Sequence, residues 1–334
     1  MSTLRNIALI SLLLAACTGM ARVPDLSKQG EVRKFIDEMA QQYDFDPVQL
    51  EGWFRAARER DDIIEAISHP AESKPWYQYR PIFLQSSRID GGVAFWKQHA
   101  EVLERAEQEY GVPPQIITAI LGVETRYGSR QGGYRVMDSL VTLAFNYPPR
   151  AAFFKDELKN YLLLTREEHV DPLSMKGSYA GAMGQPQFIS SSYRRFAVDF
   201  DGDGKRDLWN NDADAIGSVA NYFKQHGWER GGKVAVPVNV GATPVQSLVD
   251  KGIKPSINVS DLQHLGIKVS GAIPEQDMVS FIELEQKDGP EYWIGLQNFY
   301  VITRYNHSPL YAMAVYQLSE AIRSAHDGQV AHTE

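Results

Sequence analysis

Apolar residues recur at helical spacing along most of this chain, and in only one stretch do they alternate instead. Val32, Phe35, Ile36 and Met39 form one stripe. Asp46-Pro47 opens a second helix carrying Leu50, Trp53, Phe54 and Ala57, and Ile63, Ile64 and Ile67 mark a third. GGVAFWKQHAEVLERAEQEYG predicts one long helix. DSLVTLAF, AAFFKDELKNYLLLTREEHV, DAIGSVANYFKQHG and SPLYAMAVYQLSEAIRSA predict four more, the last opened by Ser308 and Pro309. KVAVPVNV breaks the pattern, because Val234, Val236, Val238 and Val240 alternate strictly, as a half-buried strand requires. INVS, IKVSG, MVSFIELEQ and EYWIGL continue that signal, with Asp288-Gly289 as a hairpin turn between the last two. The pattern predicts a mainly helical α+β chain with a small antiparallel β unit, roughly 234–302. With 334 residues, 43% of them hydrophobic, there is enough apolar material for two or three subdomains.

Within this pattern one residue is out of place. In ILGVETRYGS, Ile117, Ile120 and Leu121 lie seven, four and three positions before Glu124, so all four share one helical face. Pro113 and Pro114 suit the start of that helix and Gly128 its end. A carboxylate on the apolar face is disfavoured in its charged form by desolvation and by the negative end of the helix dipole. Both raise its pKa toward that of a general acid near neutrality. The structural alternative is a glutamate paired with Arg126 or a distant arginine.

A second stretch, DFDGDGKRDLWNNDADAIG, carries Asp199, Asp201 and Asp203 in alternation, with Gly204 in the sixth position. This is the front half of an EF-hand loop, in which three carboxylates converge on one cation and the glycine permits a sharp turn. Lys205 would offer its backbone carbonyl, and Asp207 would act through water. The twelfth position is Asn210 in place of glutamate, so Asp212 or Asp214 would have to close the loop. The expected cation is Ca2+, in a structural role. The alternative is a solvated acidic turn.

The N-terminus, MSTLRNIALISLLLAACTGM, has one positive residue, Arg5, and an apolar run too short to span a bilayer. It reads as a signal peptide, 1–16, followed by Cys17, the only cysteine, and a polar tether to residue 29. Leu14-Ala15-Ala16-Cys17 resembles a bacterial lipobox, which predicts lipid on Cys17, and Thr18 in place of aspartate fits outer-membrane sorting. A single cysteine excludes intramolecular disulfides. Without residues 1–16, 33 basic residues face 42 acidic ones, a balance that speaks against a nucleic-acid partner.

Taken together, Glu124 in GVETRYG, the block SYAGAMGQPQF, the single EF-hand-like loop and the segment TRYNHSPLYAMAVYQL resemble the lytic transglycosylase superfamily, in its membrane-bound B branch, over nearly the whole mature chain. The resemblance implies a lysozyme-like core. Its boundaries would be an N-terminal helical region at 30–110, a catalytic core at 111–232 containing the loop 199–214, a β unit at 233–302 and a closing helix at 303–334. It implies cleavage of the β-1,4 bond between N-acetylmuramic acid and N-acetylglucosamine, with the muramyl 6-hydroxyl attacking in place of water to leave a 1,6-anhydro ring. Glu124 matches the family's catalytic carboxylate, and Ser178 the serine that holds the substrate's acetamido group. Gln187, Tyr222, Tyr305, Asn306 and Tyr311 match residues lining the cleft, and Asp214 the residue closing the metal loop. The expected partners are peptidoglycan strands and, through lipid, the outer membrane. Gln185 and Pro186 depart from the family's usual residues beside the sugar. Two other functions remain open: a hydrolytic muramidase using Asp138, Asp156 or Asp171 as a second carboxylate, and a non-catalytic peptidoglycan-binding lipoprotein.

Overall fold

The computed structural model describes residues 25–68, 74–271 and 273–331. The segment expected to be a signal peptide, 1–16, and Cys17 lie outside them. Four helices come first: α1 (Gly30–Tyr43), α2 (Pro47–Ala56), α3 (Asp61–Ser68) and α4 (Trp76–Phe83). The stripe on α1 is fully buried, and the Asp46 side chain caps α2 by accepting from the Val48 N–H at 2.9 Å. These helices share the main core. α3 packs on a later helix at Val136–Asn146, and Leu26 through Ile322 contribute to one continuous cluster.

The expected long helix is two, α5 (Ser86–Gln98) and α6 (Ala100–Tyr110), broken at His99. The His99 N–H still caps Phe95 at 3.0 Å and its carbonyl still accepts from Leu103 at 2.9 Å, so the bend costs little hydrogen bonding. It lets α5 lie against the C-terminal helix while α6 lies against the helix at Asp212–Gln225. A continuous rod could not reach both.

α7 (Pro114–Thr125) is the central helix, enclosed by α5, α6 and the helices at Asp212–Gln225 and Pro309–Ala331. Ile116, Ile117, Ala119, Ile120 and Leu121 are all buried, as a helix surrounded on every side requires. After it come a two-stranded ribbon of β1 (Tyr134–Arg135) with β2 (Lys176–Gly177), and the helices α8 (Val136–Asn146), α9 (Ala151–Glu167), α10 (Ser190–Phe196) and α11 (Asp212–Gln225).

The β unit is a five-stranded antiparallel sheet with order β4-β6-β7-β3-β5, made of β3 (Ala235–Asn239), β4 (Ile257–Asn258), β5 (Lys268–Val269), β6 (Met278–Gln286) and β7 (Gly289–Gly295). Gln286 pairs with Gly289 across the hairpin turn. INVS is a strand only in its first two residues, because α13 (Val259–His264) begins there; a short α12 (Gln246–Val249) precedes it. β6 buries both faces. Val279 and Phe281 join a small separate core with Leu248, Leu262 and Ile294, while Ile282 and Leu284 face the helices. The strands end at Gly295. α14 (Gln297–Thr303) returns to the main core, and α15 (Pro309–Ala331) runs along α7.

Candidate active site

Glu124 occupies the last turn of α7. The helix stops at once: Arg126 and Tyr127 follow with φ of 50° and 58°, so the left-handed cap expected at Gly128 begins two residues earlier, on non-glycine residues. Three contacts impose this ending. Arg88 donates its guanidinium to the carbonyls of Gly122 and Val123. Tyr127 donates its hydroxyl to the Arg88 carbonyl at 2.6 Å. The Tyr127 ring also fills a slot where Gly122, Gly91 and Gly92 leave out side chains, and a Cβ at Gly122 would stand 2.6 Å from the Tyr127 hydroxyl. None of this is legible in the ordering of apolar residues. The Gly91-Gly92 pair inside a helix is the one trace of it in the chain.

The Glu124 carboxyl, half-buried, faces a cleft of about 560 Å³. Burial pushes its pKa up to about 7, against the opposing effect of a hydrogen bond from the Tyr311 hydroxyl at 2.5 Å. The Tyr311 hydroxyl is itself held protonated by burial and by the nearby carboxylate, so it serves as donor. The alternative pairing with Arg126 is not formed. Glu124 is the only acidic residue among the described residues that line the cleft, where Arg150 and Arg304 are the cations.

The other expected residues divide by role. Gln187, Tyr222, Tyr305 and Asn306 line the same cleft. Gln187 has φ of 51° and donates its amide to the carbonyls of Gly184 (2.9 Å) and Gln131 (3.2 Å), which fixes the loop. Tyr222 donates to the Arg304 carbonyl at 2.6 Å and Tyr305 to the Pro186 carbonyl at 2.7 Å. Their hydroxyls are spent on backbone carbonyls, and the Tyr305 ring stacks toward Tyr311 at 6.5 Å. Pro186 thus contributes through its carbonyl. Ser178 lies in the adjoining loop, where its hydroxyl oxygen accepts from the N–H groups of Ala180 (3.2 Å) and Ala182 (3.0 Å). Those bonds use its lone pairs and leave its proton to donate.

Thr125 and Gln185 join these parts. Thr125 donates its hydroxyl to the Gln185 carbonyl at 2.9 Å, one residue after Glu124, and the Gln185 amide donates to Asp212 at 2.5 Å. Asp212 also pairs with His99 at 3.2 Å. The end of α7, the SYAGAMGQPQF block and the α5–α6 bend are therefore bonded into one assembly.

The three candidate second carboxylates lie elsewhere. Asp138 is buried and clamped by Arg135 at 2.7 and 2.8 Å. Asp156 is exposed beside Lys159, and Asp171 is exposed and caps its own turn by accepting from Leu173 at 2.9 Å.

The acidic loop brings carboxylate oxygens of Asp199, Asp201 and Asp203 within 4.8 Å of one another. Asp199 accepts from the N–H groups of Gly202 (2.8 Å) and Gly204 (2.8 Å), so the turn forms around it. Asp214 is fully buried and accepts from Phe200 at 2.7 Å and Asp207 at 2.8 Å, bracing both ends of the loop. Asp212 is turned away toward His99 and Gln185. Asp207 caps its own turn, accepting from Trp209 at 2.9 Å.

Known proteins resemble this chain over most of its length. The family described as "Transglycosylase SLT domain" matches residues 27–320. The membrane-bound lytic murein transglycosylase B of Escherichia coli (strain K12) is 44% identical over 311 residues, covering 90% of this chain and 85% of that one. Soluble lytic transglycosylase SltB1 from Pseudomonas aeruginosa superposes with a TM-score of 0.85 at 51% identity, covering 89% of this chain and 99% of that one. Escherichia coli lytic transglycosylase Slt35, solved in complex with calcium, superposes at 0.84 with 44% identity over 90% and 95% of the two chains. Pseudomonas aeruginosa SltB3, solved with NAG-NAM-pentapeptide, superposes at 0.78 with 33% identity over 88% and 79%. The chain therefore belongs to the transglycosylase SLT domain family, and it acts on peptidoglycan as a lytic murein transglycosylase.

Proposed function

We propose that Glu124 alone supplies both proton transfers of the cleavage. Protonated, it gives its proton to the glycosidic oxygen as the bond from C1 of N-acetylmuramic acid to that oxygen breaks. The resulting carboxylate then takes the proton of the muramyl 6-hydroxyl as that oxygen bonds to C1, which closes the 1,6-anhydro ring and restores the acid. One observation carries this reading: a single carboxyl, raised to about 7, in a cleft whose described lining holds no other acid. Near neutrality such a group is present in both protonation states, as a residue that is acid and then base must be. A two-carboxylate hydrolase needs its second group within about 10 Å of the first and on the same cleft. With Asp138 clamped by Arg135 and the other two candidates exposed elsewhere, the hydrolytic reading has no partner for Glu124. Positive charge on the sugar ring then falls to the substrate's own N-acetyl group, with the Ser178 proton as the donor that orients it, and Gln187, Asn306 and the tyrosine rings seating the sugars. Mass spectrometry of the muropeptides released tests the reading. Anhydro ends support it, and products heavier by one water sink it.

The loop's donor set fits Ca2+: three converging carboxylates and the Lys205 carbonyl, all hard oxygen ligands. The calcium complex of the Slt35 relative points the same way. Asp214, in this reading, closes the site. Bound there, Ca2+ would neutralise three aspartates that otherwise repel and would fix the segment between α10 and α11. It supplies no chemistry to the cleft.

The Leu14-Ala15-Ala16-Cys17 sequence supports lipid attachment at Cys17 and a place on the periplasmic face of the outer membrane. No helix among the described residues is long and apolar enough to cross a membrane. Cys17→Ser should release the protein into the soluble periplasmic fraction. Retention of that variant with the outer membrane would remove the argument.

A further inference from the structure

We propose that Arg88, on the first turn of α5, is a positioning residue for the cleavage: it fixes the last turn of α7 and with it the seat of the Glu124 carboxyl. This rests on the reading of Glu124 above and says how that carboxyl is held.

Arg88 is buried, 7% exposed, and is not among the residues that line the cleft. A buried guanidinium ordinarily faces a carboxylate. No acidic group offsets this one among the described residues, and burial together with the nearby Arg126 and Arg130 pushes its pKa down. Its partners are backbone carbonyls: those of Gly122 and Val123, the two residues just before Glu124, and that of Ile82 on α4 at 3.4 Å. Packing alone has no need of a cation there, since an aliphatic side chain of similar length would fill the space without the loss of hydration. What a cation adds is a grip on carbonyl oxygens at the negative end of a helix.

The backbone beside Glu124 shows why a grip is needed. Arg126 and Tyr127 both hold positive φ directly after the last helical residue. Non-glycine residues keep such a conformation only where their surroundings impose it. Arg88 engages the stretch at both ends. Its guanidinium holds the carbonyls before Glu124, and its own carbonyl accepts from the Tyr127 hydroxyl at 2.6 Å. The Tyr127 ring stacks on Phe95, also on α5, at 5.7 Å. Glu124 therefore lies inside a closed loop of contacts, tied to α5 at residues 122 and 123 and again at 127.

The carboxyl itself has few ties. It accepts a hydrogen bond from Tyr311, and that donor belongs to a different helix, α15. A side chain so lightly held takes its place from its backbone. Thr125 is bonded to the Gln185 carbonyl at 2.9 Å on one side of Glu124, and Arg88 holds the other. Proton transfer requires the carboxyl within hydrogen-bond reach of the glycosidic oxygen, and a misplacement of about 1 Å lowers the rate by about 10²-fold.

The test is steady-state cleavage of murein by the full chain, at a temperature well below the melting of every variant. Arg88→Met keeps most of the side chain's length and removes its donors. Its kcat should fall by about 10²-fold, with KM little changed because Arg88 touches no substrate. Arg88→Lys keeps the charge and one donor and should recover part of the loss. Tyr127→Phe removes only the hydroxyl and should lower kcat several-fold. Combined with Arg88→Met it should lose less than the product of the two single effects, because both residues act on one turn. A folded Arg88→Met with wild-type kcat, or one whose loss lies in KM, overturns the proposal. If Arg88→Met does not fold, the double variant Arg88→Lys with Tyr127→Phe decides, and wild-type kcat in it overturns the proposal. Undiminished cleavage by Glu124→Gln would instead overturn the reading of Glu124 as the acid.

Discussion

The buried position of Glu124 should appear as a pH-dependent cost in stability that its amide lacks. In the folded protein the carboxyl is raised from 4.5 to about 7. The folded state therefore holds this proton across a pH range in which the unfolded state has lost it. Stability from this group is unaffected below about 4.5, falls as pH rises, and is fully diminished above about 7. At 1.36 kcal/mol per pH unit the cost is about 3 kcal/mol. That is an upper bound, because the carboxyl keeps some contact with water in the cleft. Glu124→Gln preserves the volume and an oxygen for the Tyr311 hydroxyl but never ionises. Its melting temperature relative to wild type should therefore rise between pH 5 and pH 8. At roughly 2 °C per kcal/mol for a chain of this size, the change is at most about 6 °C. Scanning calorimetry of both proteins at both pH values measures it, and contributions from every other titrating group cancel in the difference. The same variant should lose at least ~10²-fold in turnover. A difference in melting temperature that is the same at pH 5 and pH 8 would refute the desolvation argument, whatever happened to activity.

Three further outcomes follow from particular contacts. Tyr311→Phe removes the bond that favours the ionised form of Glu124, so the alkaline limb of the kcat/KM profile should move up by about one pH unit, from ~1.5 kcal/mol for a bond to a charged group; an unmoved limb would show that the bond is not made in the free enzyme. Ca2+ should raise the melting temperature by an amount set by the ratio of its free concentration to Kd, with Asp201→Ala flattening the response and activity well below melting little changed; a chelator that abolishes activity with the fold intact would place the metal in the mechanism. Gly122→Ala should cost about 1–3 kcal/mol in urea unfolding, because its Cβ would meet the Tyr127 hydroxyl at 2.6 Å, and a neutral result would mean that Tyr127 does not hold the end of α7.

Much of this protein was readable before any coordinate. Helical periodicity alone placed Glu124 on the apolar face of a central helix, because side-chain direction on a helix follows from spacing. Alternation located the β unit, and three aspartates around a glycine located the acidic loop, because each pattern is local and its geometry is carried by consecutive residues. Motif resemblance pointed to Gln187, Tyr222, Tyr305, Asn306 and Tyr311. Spacing by itself had no means of joining Tyr311 to Glu124 across 187 residues.

What tertiary structure decided is where those pieces meet and which polar atoms they consume. His99 breaks a helix that periodicity makes continuous, because two halves reach different neighbours and the bend keeps its hydrogen bonds. Asp212 and Asp214 are equivalent by spacing, yet only Asp214 turns into the loop, since His99 and Gln185 hold Asp212 from distant parts of the chain. Asp138, Asp156 and Asp171 are equal candidates in the chain and are separated only by packing, which clamps one and exposes the others. A pKa near 7 for Glu124 is of the same kind. The helix supplies its direction, but the value comes from burial in the folded chain, opposed by the hydrogen bond from Tyr311 on α15. That sum over distant neighbours has no periodicity to betray it.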